Sequence, residues 1–151
     1  MSDTALVAVS TLLRWRAFRE ALAERDRIAV AAELHEAGAR RDEAQSVAAG
    51  VARHREALLS APNVDLGLLQ RVAACETRAL DDVRDRLDAL AACEQRHDDA
   101  RAAHLRARAD VRVAETRHAR LSAEAADLEE KRMFDRMASL VAAGGGVQAD
   151  D

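Results

Sequence analysis

The stretch that decides the fold runs from residue 97 to residue 118 and reads HDDARAAHLRARADVRVAETRH. It places histidines at 97, 104 and 118, and Val111 fills the missing step of this seven-residue repeat. Because seven residues make about two helical turns, the four positions form one stripe along one face of a helix. The repeat predicts a long α-helix that packs along a partner helix.

The three histidines raise the alternative of a metal site. Seven residues separate two side chains by about 10 Å along a helix, whereas zinc holds its nitrogen ligands at roughly 2 Å. We therefore expect no bound metal and interpret the histidines as polar residues of the helix–helix contact. Glu94 and Glu115 lie one turn before His97 and His118, so a pH-sensing role for the histidines is the remaining alternative.

The composition is typical of coiled coils and not of globular domains. Of the 151 residues, 2% are aromatic, 33% are charged, 36 are alanine and one is proline. Alanine, leucine, arginine and glutamate are strong helix formers. So few large apolar residues cannot fill a thick core, but they can line a thin seam between two helices.

The charge of the chain does not single out a class of partner. The net charge is −4 and the two signs are interleaved, which predicts no strong attraction to nucleic acid or acidic membranes. Residues 101–120 carry six arginines, but these are spread around the helix, so nucleic-acid binding is a minor alternative. No run of 18 apolar residues and no basic start of a signal peptide occur. We expect a cytoplasmic protein without membrane insertion.

The only strong break is the segment from Ser60 to Asp65, which contains Pro62. It predicts a first helix over about 4–59, a turn over 60–65 and a second helix over about 65–143, with Asn63 or Asp65 as the cap of the second helix. The short turn predicts a single all-α domain, residues 1–143, built as an antiparallel coiled-coil hairpin. After the glycines that begin at Gly144, residues 144–151 are expected to be a disordered tail.

In this hairpin, residue i of the first helix faces roughly residue 125 − i of the second, so the second helix extends beyond the first as an overhang from about residue 122. Near the turn we expect a leucine-rich seam with Leu80, Val83, Leu87 and Leu90. Cys75 and Cys93 lie 18 residues apart, which is five straight helical turns and too far for a disulfide on one helix. We interpret both as small apolar seam residues on one face.

Two segments are richer in large apolar side chains and in cations. In an antiparallel hairpin we expect them to meet at the open end, either as a partner-binding tip or as a core in which they pack on each other. The first set is Arg14, Trp15, Arg16, Phe18 and Arg19, and the second is Lys131, Arg132, Met133, Phe134, Arg136, Met137 and Leu140.

No catalytic motif appears in the sequence. It has no glycine-rich phosphate loop, no HExxH, no G-x-S-x-G and no CxxC. A two-helix hairpin also lacks a concave pocket that would exclude water from a reacting atom. We expect a non-enzymatic protein with no cofactor and no small-molecule substrate.

The stretch LLRWRAFREALA at residues 12–23 resembles the start of FliJ/YscO-type (HrpO-like) stalk proteins of type III secretion. The stretch EEKRMFD at residues 129–135 is similar to the charged segment near the C-terminus of that family. The resemblance implies a cytoplasmic stalk at the inner-membrane secretion apparatus. Its implied partners are the export ATPase ring, the export gate protein and secretion chaperones. The alternative is a generic coiled-coil scaffold or adaptor unrelated to secretion.

Overall fold

The computed structural model describes residues 2–144, and nearly all of them lie in two α-helices. Helix α1 spans Ser2–Leu59 and helix α2 spans Leu66–Gly144. No strand occurs within residues 2–144. The all-α hairpin is confirmed, with helix ends within two residues of the predicted ones. Apart from Gly144, which ends α2, the predicted disordered tail lies outside the described residues.

The turn between the helices is held by local hydrogen bonds. Ser60 donates from both its backbone N and its Oγ to the Glu56 carbonyl, at 3.1 and 2.9 Å. Pro62 has no N–H with which to continue α1. Asp65 Oδ1 then accepts hydrogen bonds from the backbone N of Gly67 at 2.9 Å and of Leu68 at 3.0 Å. Of the two caps that the sequence allows, the structure selects Asp65.

Asp65→Ala is therefore expected to lower the free energy of unfolding by about 0.5–2 kcal/mol, since two amide donors at the start of α2 lose their acceptor. Urea denaturation followed by circular dichroism measures this loss. Asn63→Ala is the matched control and is expected to change the free energy by less than about 0.5 kcal/mol. An equal loss in both variants would contradict the assignment of Asp65 as the cap.

Two compact units divide the chain. Among the described residues, the turn unit is residues 22–104, and the end unit combines residues 2–21 with residues 105–144. In the turn unit, Arg55 Nη1 lies 2.6 Å from Glu76 Oε2 and Arg96 Nη1 lies 3.0 Å from Glu33 Oε2. Residue 55 of α1 is thus paired with residue 76 of α2, and the lower-numbered residue 33 is paired with the higher-numbered residue 96. The two helices of this unit are therefore antiparallel.

The seam of the turn unit consists of small residues. Ala44, Ala48, Val72 and Cys93 are buried. Seven-residue steps from Val72 lead through Ala79 and Arg86 to Cys93, which is the repeat of a supercoiled helix pair. The small side chains of Val72, Ala79 and Cys93 allow the two backbones to approach closely, whereas Arg86 is exposed.

The predicted leucine seam near the turn is wrong by one position. Val83 and Leu90 are half-buried, but Leu80 and Leu87 are exposed, at 53% and 43%. Ala79 takes the contact position that Leu80 was expected to hold, because the register follows the steps from Val72. The two leucines therefore lie at the flank of the seam, where α1 covers them only in part.

The expectation that both cysteines fill the seam is half wrong. Cys93 is buried, but Cys75 is exposed. Two residues that are 18 positions apart lie on the same side of a straight helix, whereas the contact positions of a supercoiled helix repeat every seven residues. Eighteen is not a multiple of seven, so only Cys93 lies on the contact stripe.

Candidate partner-binding surfaces

In the end unit, the contact between the helices is narrow. Val9 of α1 is 6% exposed and Ala114 of α2 is 2% exposed, the lowest value among the buried residues of the described chain. Arg16 Nη1 donates a hydrogen bond to the Asp110 carbonyl across the contact, at 2.9 Å. This bond indicates the register of the two helices along their axes, with residue 16 of α1 opposite residue 110 of α2.

Four of the five predicted site residues of α1 are accessible, namely Arg14, Trp15, Phe18 and Arg19. Trp15 is 53% and Phe18 61% exposed, and the Arg19 guanidinium lies 5.0 Å from the centroid of the Trp15 ring. That geometry is a cation–π contact. Arg16 is the exception, because it is half-buried and engaged with the Asp110 carbonyl. Arg16 is therefore a contact residue between the helices and not a residue presented to a partner.

All seven predicted site residues of α2 are exposed. Phe134 is 58% exposed, and Met133, Met137 and Leu140 are comparable or higher. Every residue from 126 to 143 is exposed, as expected where α1 no longer lies opposite. We call residues 126–144 the overhang. The cationic members of this set are Lys131, Arg132 and Arg136.

The two sets do not meet in one tip, which corrects the expectation from the sequence. Residue 16 lies opposite Asp110, and Met133 follows Asp110 by 23 residues on the same helix. At the rise of an α-helix this is about 35 Å. Trp15 and Phe18 therefore lie at one level of the end unit, and the overhang residues lie far beyond it. The alternative, in which the two segments pack on each other as a core, is excluded by the same distance.

The apolar face of the overhang points away from the side on which α1 packs. The contact stripe of α2 runs through Ala114, His118, Leu121 and Ala125, and its next steps beyond Leu128 are the polar positions 132, 135 and 139. At about 100° per residue, Met133, Phe134, Met137, Leu140 and Val141 centre roughly half a turn from that stripe. A longer α1 would not cover them, so their exposure is a property of α2 itself.

Of the three histidines, His97 and His104 lie in the seam of the turn unit, as predicted. His104 Nδ1 is 3.1 Å from Glu24 Oε2, and Arg27 donates two hydrogen bonds to the same carboxylate, at 2.7 and 2.6 Å. The hydrogen bonds and charge of Glu24 raise the pKa of Arg27 above its ordinary value. For His97, the structure shows Asp98 Oδ1 at 3.8 Å. No group of three potential metal ligands occurs among the residues that the structure describes.

One exposed residue near Trp15 escaped the sequence reasoning. Val113 of α2 is 63% exposed, although it lies next to the buried Ala114. Val113 lies one position before the contact stripe of α2, and this position predicts its exposure. The prediction requires the register of the stripe, which the sequence alone does not give.

Comparisons with models of protein families, with curated proteins and with solved structures find no match to this chain. Among the described residues, neither helix contains a stretch that is long and apolar enough to cross a membrane.

Proposed function

We propose that this chain is a non-enzymatic stalk component of a bacterial type III secretion apparatus and that its overhang binds the export ATPase ring. The observation that carries the proposal is a single helix, residues 126–144, with an uncovered apolar face. The resemblance of residues 12–23 and 129–135 to FliJ/YscO-type proteins supports the same role.

The dimensions of the overhang suit a ring-shaped partner. One α-helix with its side chains is about 10–12 Å across, whereas two helices packed at 8–10 Å between their axes need nearly twice that width in one direction. The overhang is thus slimmer than the paired helices of the same unit. It can enter an opening that would exclude the paired helices.

The chemistry of the overhang fits a protein groove. Met133, Met137 and Leu140 follow the spacing with which an amphipathic helix fills a groove. Methionine is unbranched and adapts to neighbours of different shape, which suits a ring whose subunits change conformation. Lys131, Arg132 and Arg136 can pair with carboxylates around the groove. We place the protein on the cytoplasmic side of the inner membrane, with the export gate protein and secretion chaperones as further partners.

Co-purification from the native bacterium tests this function. A tagged full-length chain is expected to retain the secretion ATPase, identified by mass spectrometry. A truncated chain that ends at residue 125 is the matched comparison, because it keeps both helices of the hairpin and loses only the overhang. If the full chain retains no secretion component, the stalk function is wrong. If both chains retain the ATPase equally, the overhang is not its binding element.

A further inference from the structure

The paired part of the end unit carries a concentration of positive charge that the net charge conceals. Residues 4–21 and 105–120 contain eight arginines and three carboxylates. The rest of the chain is left with 15 basic and 24 acidic residues. A strong local asymmetry of this kind is typical of a surface that binds an anionic partner.

Two arginines of the end unit, Arg106 and Arg117, differ from several arginines of the turn unit in their partners. In the turn unit, Arg40, Arg86 and Arg96 pair with carboxylates at 3.2, 3.2 and 3.0 Å. Within residues 4–143, the structure shows no ion pair for Arg106 or Arg117, both of which are exposed. Their charges are therefore available to an external anion, whereas Arg120 of the same unit pairs with Glu124 Oε1 at 3.0 Å.

Several of these arginines share one side of the helix pair. Arg19 of α1 and Asp110 of α2 line the same small cavity. Each residue lies one position before a residue of the helix–helix contact, so such positions lie on the same side of the pair in both helices. On α1, Trp15 and Arg19 hold such positions, because each precedes a half-buried residue, Arg16 or Glu20. On α2, Arg106, Val113, Arg117 and Arg120 hold the corresponding ones, at steps of three and four around Asp110. We call these six residues the arginine-rimmed face: Trp15, Arg19, Arg106, Val113, Arg117 and Arg120.

The centre of the arginine-rimmed face holds two apolar side chains, Trp15 and Val113, beside the exposed carboxylate of Asp110. Trp15 lies between the levels of Asp110 and Val113, because residue 16 is opposite residue 110. Val113 lines a shallow depression of about 510 Å³ together with Arg112, Arg117 and Arg120. Two exposed apolar side chains thus lie on a face that carries four arginines, Arg19, Arg106, Arg117 and Arg120, and one carboxylate, Asp110.

We propose that the arginine-rimmed face binds the surface of an anionic phospholipid bilayer. Trp15 and Val113 enter the headgroup region, where tryptophan is enriched in membrane-bound proteins. The arginines contact lipid phosphates while their aliphatic stems lie along the apolar centre. The binding is peripheral, and it stands independently of the secretion function proposed above.

Nucleic acid is the other polyanion to compare, and the apolar centre disfavours it. An aliphatic side chain such as Val113 gains nothing from phosphates or base edges, whereas it gains from the acyl boundary of a bilayer. Bases that are bound by single-stranded nucleic-acid-binding proteins stack on aromatic side chains, and the Arg19 guanidinium covers one of the two faces that the Trp15 ring could offer. A bilayer accepts both features without displacing either.

The full-length chain contains one tryptophan, so Trp15 reports binding directly. Vesicles of phosphatidylcholine with about a third phosphatidylglycerol are expected to shift its emission to the blue and to co-sediment with the protein. Vesicles of phosphatidylcholine alone are expected to do neither. Binding should be lost at about 1 M salt, where the screening length falls to about 3 Å. Equal binding to both kinds of vesicle would overturn the proposal.

Arg106→Gln combined with Arg117→Gln is expected to weaken vesicle binding on the order of thirtyfold, from about 1 kcal/mol for each basic residue near an anionic surface. Glutamine is a good helix former, so circular dichroism should stay unchanged. Arg53→Gln with Arg71→Gln is the matched control, since it removes the same charge at exposed positions of the turn unit. An equal loss in the control, or tighter binding of a single-stranded oligonucleotide that depends on Arg106 and Arg117, would overturn the proposal.

Discussion

Changing Phe134 and Met137 together to aspartate is expected to abolish binding to the export ATPase while the hairpin stays folded. The two side chains are exposed and no part of α1 lies opposite them, so they contribute little to folding. Within a groove they would be anchors, each worth at least about 2 kcal/mol, and two carboxylates in their place would remain unpaired. The expected loss is more than about a hundredfold in the dissociation constant. Titration calorimetry with the purified ATPase measures it.

The control for this variant is Ala61→Gly, which changes the turn and leaves the overhang intact. It is expected to bind normally. Normal binding by the double aspartate variant, or loss of binding in the turn variant alone, would mean that the overhang is not the binding element. An unfolded double variant would show that Phe134 and Met137 stabilise the fold.

Ala114→Leu is expected to lower the free energy of unfolding by about 1–3 kcal/mol. Ala114 is 2% exposed and lies where the two helices of the end unit are in contact, so three added carbons must push the backbones apart. Separation of the helices would also strain the hydrogen bond from Arg16 to the Asp110 carbonyl. Urea denaturation followed by circular dichroism measures the loss of stability.

Ala126→Leu is the matched control, because residue 126 is exposed and belongs to the overhang. Alanine and leucine are similar in helix propensity, so this change is expected to leave the free energy of unfolding within about 0.5 kcal/mol of the original. A stabilised Ala114→Leu protein would contradict the close contact, since it would mean that the larger side chain simply buries more apolar surface.

The main features of the fold were predictable because each has a local cause. Pro62 ends α1 and Asp65 caps α2, and both act through neighbouring backbone groups. The repeat through His97 and His104 indicates a paired helix without reference to its partner. The choice between Ala79 and Leu80 was not predictable in this way, because it depends on how closely two backbones approach. A larger apolar side chain would favour Leu80 at the contact position, whereas a close approach of the two backbones favours the smaller Ala79.

The candidate surfaces were predictable in composition but not in position. Trp15 and Phe134 were both identified as members of partner-binding segments, and both are exposed. Their separation depends on the level that the bond from Arg16 to the Asp110 carbonyl sets between the helices, which composition does not contain. The arginine-rimmed face was hidden for a related reason, since Arg19 and Arg117 are far apart in sequence and become neighbours on one side only when the helices pair.

The overhang has a thermodynamic consequence that follows from its lack of a neighbour. Most helical stability in proteins comes from packing against other elements, and the overhang has none of that packing. Residues 126–144 are therefore expected to exchange their backbone amide protons faster than residues 107–121, which pack against α1. A partner that encloses the overhang would stabilise a helix that packing within the chain does not stabilise. The affinity of that partner would then rise with any change that strengthens the helix, even one that adds no contact.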